Sequence, residues 1–182
     1  MGLKGFGVLI LLVSLCSAQT ANRPILISKN RINGPLGGEY HLEDLQVQMD
    51  GRVVYTEEGT RIMGRPATRN SYETTLTSDE MQGLAKLLDS RDVRSLPKKI
   101  GSKTQPIDFF WQKSLEIARP GGTQNIQVQN FYPFLNLHGS AYPWGLIELE
   151  CKLQEVQAKA SKRSKGDQAD WCKDILAKRS AR

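Results

Sequence analysis

The first 18 residues determine the compartment in which the rest of the chain has to fold. Residues 1–18 combine one basic residue, Lys4, a short apolar run over 8–15, and small residues at 16–18. This order is typical of a cleaved secretory signal peptide. The apolar run is much shorter than the ~20 residues that a membrane-spanning helix needs. We therefore expect the chain to be exported, to the periplasm or the extracellular space, and the mature protein to begin at Gln19.

Export determines the redox environment of the two cysteines that remain after cleavage, Cys151 and Cys172. Two cysteines in an oxidising compartment usually pair. A bridge between them would close a loop and stabilise the fold by about 3 kcal/mol in the chain-entropy model. Free thiols with a redox or metal-binding role are the alternative, but the sequence has neither a C-x-x-C spacing nor a histidine nearby. We predict a structural disulfide.

The bulk composition indicates one globular domain with an uneven charge distribution. The chain has 39% hydrophobic and 24% charged residues, which argues against wholesale disorder. Residues 19–151 hold 15 basic and 15 acidic residues, whereas residues 152–182 hold nine basic and four acidic ones. The positive charge therefore belongs to the C-terminal region. Nucleic acid is not an expected partner of an exported protein, which leaves anionic envelope polymers, lipid head groups or simply a solvated helix face.

The first half of the chain predicts a hairpin and then a helix. We expect residues 19–39 to be a poorly ordered lead-in. Leu45, Val47 and Met49 alternate with polar residues, which is typical of a half-buried strand. The dipeptide at 50–51, Asp-Gly, predicts a two-residue type I′ turn into a second strand over 52–56.

Extended structure over 72–76 and then a capped helix follow this hairpin. Thr77 and Glu80 match the capping box, and an apolar stripe comes directly after them. The stripe comprises Met81, Leu84, Leu87 and Leu88. We expect the helix to stop near Ser90 and residues 91–107 to form a connecting loop.

The second half predicts another hairpin and two helices. A strand over 109–117, a Pro-Gly-Gly turn and a returning strand with Ile126 and Val128 form the hairpin. Pro143 suits the first turn of a long helix that carries Cys151. A last short helix carries Cys172, so the disulfide would join a helical hairpin.

These elements predict an α+β fold, a twisted antiparallel sheet built from two hairpins with helices on one face. The disulfide would covalently link the two helices of the C-terminal helical hairpin. The expected organisation is a signal peptide (1–18), the lead-in (19–39), the α+β domain (40–160), and a linker with a short basic helix (161–182). No second apolar run predicts a transmembrane segment in the mature chain.

The order of motifs resembles that of small exported bacterial proteins of unknown function. The resemblance covers residues 40–160. It rests on the segment Gln-Met-Asp-Gly-Arg-Val-Val-Tyr at 48–55, the helix start Leu-Thr-Ser-Asp-Glu-Met at 76–81, the second hairpin and the cysteine-bearing helix. Because that group has no assigned activity, the resemblance implies no catalytic residue.

Catalytic and metal-binding signatures are absent from the sequence. His41 and His138 are the two histidines of the chain. His41 and Glu43 match the H-x-E half of a zinc deaminase motif, but the P-C-x-x-C half is missing. His138 precedes Ser140 without the G-x-S-x-G spacing of a nucleophile elbow. We predict no catalytic residue, no metal site and no cofactor.

Aromatic residues provide the strongest candidate for a binding site. Eight of the 13 aromatic residues fall between positions 109 and 144. Such a cluster can stack on a sugar or anchor a protein partner, although the same rings could simply fill the core. The candidate binding residues are Trp111, Tyr132, His138, Tyr142 and Trp144.

The expected function is that of an exported, non-enzymatic domain that binds a protein or a cell-envelope component. The alternatives are a small envelope hydrolase, which would need His41 or His138 beside a carboxylate, and a basic protein that binds anionic surfaces by charge. Salt distinguishes the last alternative, because charge-driven binding weakens as ionic strength rises.

Overall fold

A computed structural model describes residues 23–33, 40–60, 68–101, 110–129, 142–162 and 171–180. These residues form seven strands and four helices. The strands are β1 (Pro24–Asn33), β2 (Tyr40–Gln48), β3 (Arg52–Thr60), β4 (Thr68–Thr75), β5 (Lys99–Gly101), β6 (Phe110–Arg119) and β7 (Gly122–Gln129). The helices are α1 (Ser78–Asp89), α2 (Arg91–Arg94), α3 (Trp144–Ser161) and α4 (Trp171–Ser180). The predicted signal peptide lies outside the described residues.

The strands form one sheet in the order β4-β3-β2-β1-β6-β7-β5. Every neighbouring pair is antiparallel except β5 and β7, which are parallel. The α+β class with a mostly antiparallel sheet is therefore confirmed. The sheet is larger than two hairpins, because β1, β4 and β5 also belong to it.

Strand β1 lies at the centre of the sheet, between β2 and β6. The prediction of a poorly ordered lead-in was wrong for Pro24–Asn33. Leu26 and Ser28 are buried on the face that contacts the core, while the alternating positions point the other way. Because Ser28 stands where an apolar residue is expected, the period-two pattern is weak in the sequence. Pairing along both edges stabilises the strand instead.

The turn between β2 and β3 has three residues, not the two that were predicted. The loop comprises residues 49–51, and the Gly51 amide donates to the Gln48 carbonyl at 3.1 Å. Gly51 has a φ of 86°, whereas Asp50 does not have a positive φ. This combination fits a type I turn followed by a left-handed glycine, a common three-residue hairpin loop. Met49 therefore lies in the loop, 52% exposed, and does not extend the buried face of β2.

The predicted capping box begins α1. The Glu80 carboxylate accepts from the Thr77 amide at 2.7 Å, and the Thr77 hydroxyl accepts from the Glu80 amide at 3.3 Å. The stripe buries Leu84 and Leu88. The region predicted as a loop after this helix contains two short elements, α2 and β5. Elements of four and three residues leave no periodic signal, so the sequence predicts neither of them.

One hydrophobic core joins the sheet to all four helices. Its largest fully buried side chains include Leu26, Leu45, Tyr55, Leu115, Ile117, Ile126, Leu146, Ile147, Leu149 and Leu153. Helix α4 adds Ile175 to this core. The predicted disulfide is confirmed, since Cys151 of α3 is bonded to Cys172 of α4 with Cα atoms 5.6 Å apart.

Among the described segments, no helix is both long and apolar enough to cross a membrane.

Candidate functional site

Side chains of the sheet alternate between the core and the opposite face, and the opposite face is concave. In β3, for example, Val53 and Tyr55 are buried in the core, while Val54 and Thr56 line a cavity on the other side. The cavity has a volume of about 760 Å³ and extends across β1, β2, β3, β4, β6 and β7. A cavity of this size falls in the range of small-molecule and segment-binding sites.

Two cross-strand rows of side chains line this cavity, and together we call them the concave face. The first row consists of Ser71, Thr56, Asp44, Lys29, Ser114 and Gln127. The second row consists of Arg69, Glu58, Leu42, Arg31, Gln112 and Gln129. All but Leu42 are polar, so the concave face offers amides, hydroxyls and charges of both signs.

Asp44 lies in the middle of the first row. Its atom Oδ1 is buried and accepts no hydrogen bond from any described residue. A buried carboxylate oxygen without a donor costs free energy, and buried polar atoms nearly always have a partner. Asp44 therefore holds an unsatisfied acceptor beneath the centre of the concave face.

A second polar cluster lies on the opposite face of the sheet, next to the core. We call it the polar row, and it consists of cross-strand neighbours in five strands: Asn70, Glu57, Glu43, Asn30 and Lys113. The next row toward the core contains Tyr72 and Tyr55, whose rings stack with centroids 5.9 Å apart. The polar row therefore lies at one border of the apolar core, near the C-terminal ends of β3 and β7.

Glu43 is held in its ionised form by its neighbours. Burial alone would raise its pKa, but hydrogen bonds from His41 and Asn30 and the positive charges of Lys113 and His41 oppose this effect. The net result lowers the pKa of Glu43 to about 2. The contacts are His41 Nε2 to Oε1 at 3.2 Å and Asn30 Nδ2 to Oε2 at 3.1 Å.

Glu57 lies directly across the β2–β3 pair from Glu43. The Tyr55 hydroxyl lies 3.3 Å from Oε1 of Glu43 and 3.3 Å from Oε2 of Glu57. Since a phenol has one proton to donate, it serves one of the two carboxylates at a time. The Tyr72 hydroxyl donates to Oε1 of Glu57 at 3.0 Å. The arrangement is a carboxylate pair bridged by a tyrosine.

Lys113 links the polar row to α3 through an ion pair with Glu150. Both side chains are almost completely buried. A buried ion pair requires both partners, because either charge alone would be left uncompensated in the interior. The pair therefore fixes the position of α3 on the sheet at the level of the polar row.

The five candidate residues from the aromatic cluster differ in where the structure places them. Tyr142 is only 4% exposed and belongs to the core, and Trp144 packs against the same core. Both positions therefore have a packing role. The backbone of Trp111 lies in β6 opposite Ile32 of β1. Tyr132 and His138 lie outside the described residues.

Of the polar row, only Glu43 was singled out from the sequence, together with its neighbour His41. A signal was available, because Tyr55 and Glu57 stand two residues apart in one strand, as do His41 and Glu43. Residues at i and i+2 of a strand share a face. Their assembly into one row depends on strand pairing, which a single sequence does not display. In the described segments, no group of three His, Cys, Asp or Glu side chains is placed to hold a metal ion.

This chain matches no protein-family model and no curated protein sequence.

Proposed function

We propose that this protein is an exported, non-enzymatic domain that binds a protein or a cell-envelope component on its concave face. The observation that carries the proposal is the cavity of about 760 Å³ lined by two cross-strand rows of amides, hydroxyls and charged side chains. A ligand with hydroxyl, amide or amine groups would find complementary donors and acceptors on this face. The disulfide fits an oxidising compartment, which supports export.

The lining of the cavity favours a ligand recognised by hydrogen bonds. Gln112, Gln127 and Gln129 each present both a donor and an acceptor, and Ser71, Thr56 and Ser114 present hydroxyls. Sugars and extended polypeptides both carry groups of this kind at regular intervals. Neither ligand needs an aromatic platform to bind such a surface.

The charges of the concave face nearly cancel. Three basic side chains, those of Lys29, Arg31 and Arg69, stand beside two acidic ones, those of Asp44 and Glu58. Binding there should depend little on salt, because screening weakens net charge attraction more than short hydrogen bonds. The proposal therefore differs in a measurable way from binding by the basic C-terminal region.

An affinity capture tests the proposal. The oxidised chain without its first 18 residues serves as bait for an envelope extract of the producing organism, at low salt and at roughly 0.5 M salt. The Ser114→Arg variant should lose the captured component, because Ser114 lines the cavity. The matched control is Thr123→Arg, which introduces the same side chain at an exposed position of β7 outside the cavity.

Two outcomes count against the proposal. Equal capture by the parent and by a folded Ser114→Arg variant would place the binding surface elsewhere on the molecule. Capture that disappears at high salt would favour the binding of anionic surfaces by charge.

The alternative of a small envelope hydrolase is supported by one observation, the contact of His41 with Glu43 beside a second carboxylate, Glu57. A histidine–carboxylate contact can hold a general base in position. The test is turnover of envelope polymers by the parent and by Glu57→Gln. Activity that falls in this variant but persists in Ser114→Arg would favour the enzyme.

A further inference from the structure

The two edges of the sheet differ in how well they are protected from pairing with another strand. The β5 edge has only three residues and carries Lys99, with Lys98 just before it. Short edges and lysines are common ways in which proteins block unwanted strand pairing. The β5 edge is therefore protected.

The β4 edge has none of these protections. Strand β4 has eight residues, contains neither lysine nor proline, and pairs with β3 without a register shift. No described strand pairs with its other edge. Its side chains are mostly exposed. A regular, unprotected edge of this length is a template for an added strand.

The charges of β4 are self-complementary about Ser71. Arg69 and Glu73 are both exposed, point to the same face of the sheet and stand two residues on either side of Ser71. If two copies of β4 pair antiparallel with Ser71 opposite Ser71, Arg69 of each copy faces Glu73 of the other. Neither side chain forms an ion pair with another described residue in the single chain.

Other registers lose this complementarity. Antiparallel partners must keep their side chains on the same face, so the register can shift only in steps that preserve the alternation. One such step places Ser71 opposite Arg69 or opposite Glu73, so both charge pairs are lost. A second step places Arg69 opposite Arg69, or Glu73 opposite Glu73. The register centred on Ser71 is the one that joins both pairs of opposite charges.

We propose that two copies of this chain associate through β4, with Ser71 on the two-fold axis. The partner is a second copy because the same short strand supplies both halves of the charge pattern, as an isologous interface requires. The product is one continuous sheet of fourteen strands, twice the seven of a single copy. The two concave faces would then lie side by side, since Arg69 and Ser71 line the cavity.

Glu73→Arg is the cleanest substitution for a test. Within its own chain Glu73 faces Val54 of β3, so the change disturbs no cross-strand charge pair there. In the dimer it replaces two attractive pairs with two repulsive ones, and we expect the dissociation constant to rise at least about tenfold. Arg69→Glu should weaken the dimer in the same direction. The double variant Arg69→Glu/Glu73→Arg restores complementarity and should return to within about threefold of the parent.

Sedimentation equilibrium of the oxidised chain, at protein concentrations spanning two orders of magnitude, measures these constants. Lys99→Glu, on the β5 edge, is the control and should dimerise like the parent. Urea unfolding verifies that each variant is folded, which is expected because both positions are exposed.

A parent that stays monomeric throughout the concentration range would overturn the proposal. So would a dimer that both single variants retain, or one that the double variant fails to restore. Capture of an extended segment of another protein by the β4 edge of a monomeric parent would likewise replace it.

Discussion

At the residue scale, Gly145 shows how closely two helices approach in this fold. A Cβ built at this position would lie 2.5 Å from both the carbonyl carbon and the carbonyl oxygen of Asp92, and 2.8 Å from the Val93 nitrogen. These are backbone atoms, which cannot move aside as a flexible side chain can. The first turn of α3 therefore reaches α2 only because residue 145 has no side chain.

We expect Gly145→Ala to destabilise the protein by about 1–3 kcal/mol, the usual cost of overpacking. The control is Gly83→Ala in α1, where nothing lies within 4 Å of the added methyl group. That substitution should be neutral or stabilise by up to about 1 kcal/mol, because alanine is the better helix former. Urea unfolding of both variants measures the difference. A Gly145→Ala variant as stable as the parent would show that α2 and α3 are not in contact as described.

Because of Glu43, the free energy of unfolding depends on pH in the acid range. Its pKa is lowered in the folded state to about 2, from an ordinary value of 4.5. A carboxylate whose pKa is depressed stabilises the fold above the unfolded value and loses that effect as the pH falls toward the folded one. The contribution is on the order of 3 kcal/mol.

We therefore expect the unfolding free energy to fall as the pH decreases through the interval between 4.5 and about 2. In Glu43→Gln the decrease over this interval should be smaller, because the substituted side chain takes up no proton. Urea unfolding at several pH values measures both slopes. Identical slopes in parent and variant would mean that Glu43 is not held ionised by the polar row.

At the element scale, the pair of Lys113 and Glu150 connects β6 to α3. We expect Lys113→Met to cost about 3–5 kcal/mol, because it leaves the Glu150 charge buried without a partner. The double variant Lys113→Met/Glu150→Gln should recover at least half of that loss. In Lys152→Met the more exposed pair with Glu155 is lost instead, at a cost below about 1 kcal/mol. A double-mutant cycle by denaturant unfolding measures the coupling, and additive losses would contradict it.

The disulfide holds α4, which contributes one side chain, Ile175, to the described core. Replacing both cysteines with alanine should cost about 3 kcal/mol, since the bridge closes a separation of 21 residues. Amide exchange should then become fast over 171–180 while the sheet stays protected. Ile175→Ala with the bridge intact is the control, and it should keep α4 attached. Unchanged protection of α4 without the bridge would show that packing alone suffices.

At the scale of the whole molecule, local signals predicted much of the fold and little of the site. The capping box at Thr77, the turn at Gly51 and the pairing of Cys151 with Cys172 are encoded in short stretches or in simple counting. The central position of β1 depends on pairing with β6, about 85 residues later in the chain. The concave face and the polar row arise only from that pairing, since each strand contributes one or two side chains to them.

Methyl NMR with the captured component tests whether ligands bind on the concave face, as we propose. Leu42 and Val54 line the cavity, whereas Met49 and Leu176 are exposed outside its lining. We expect the Leu42 and Val54 methyl signals to shift on titration, with those of Met49 and Leu176 unchanged. Shifts confined to Met49 or Leu176, with Leu42 and Val54 unmoved in the bound protein, would contradict this proposal.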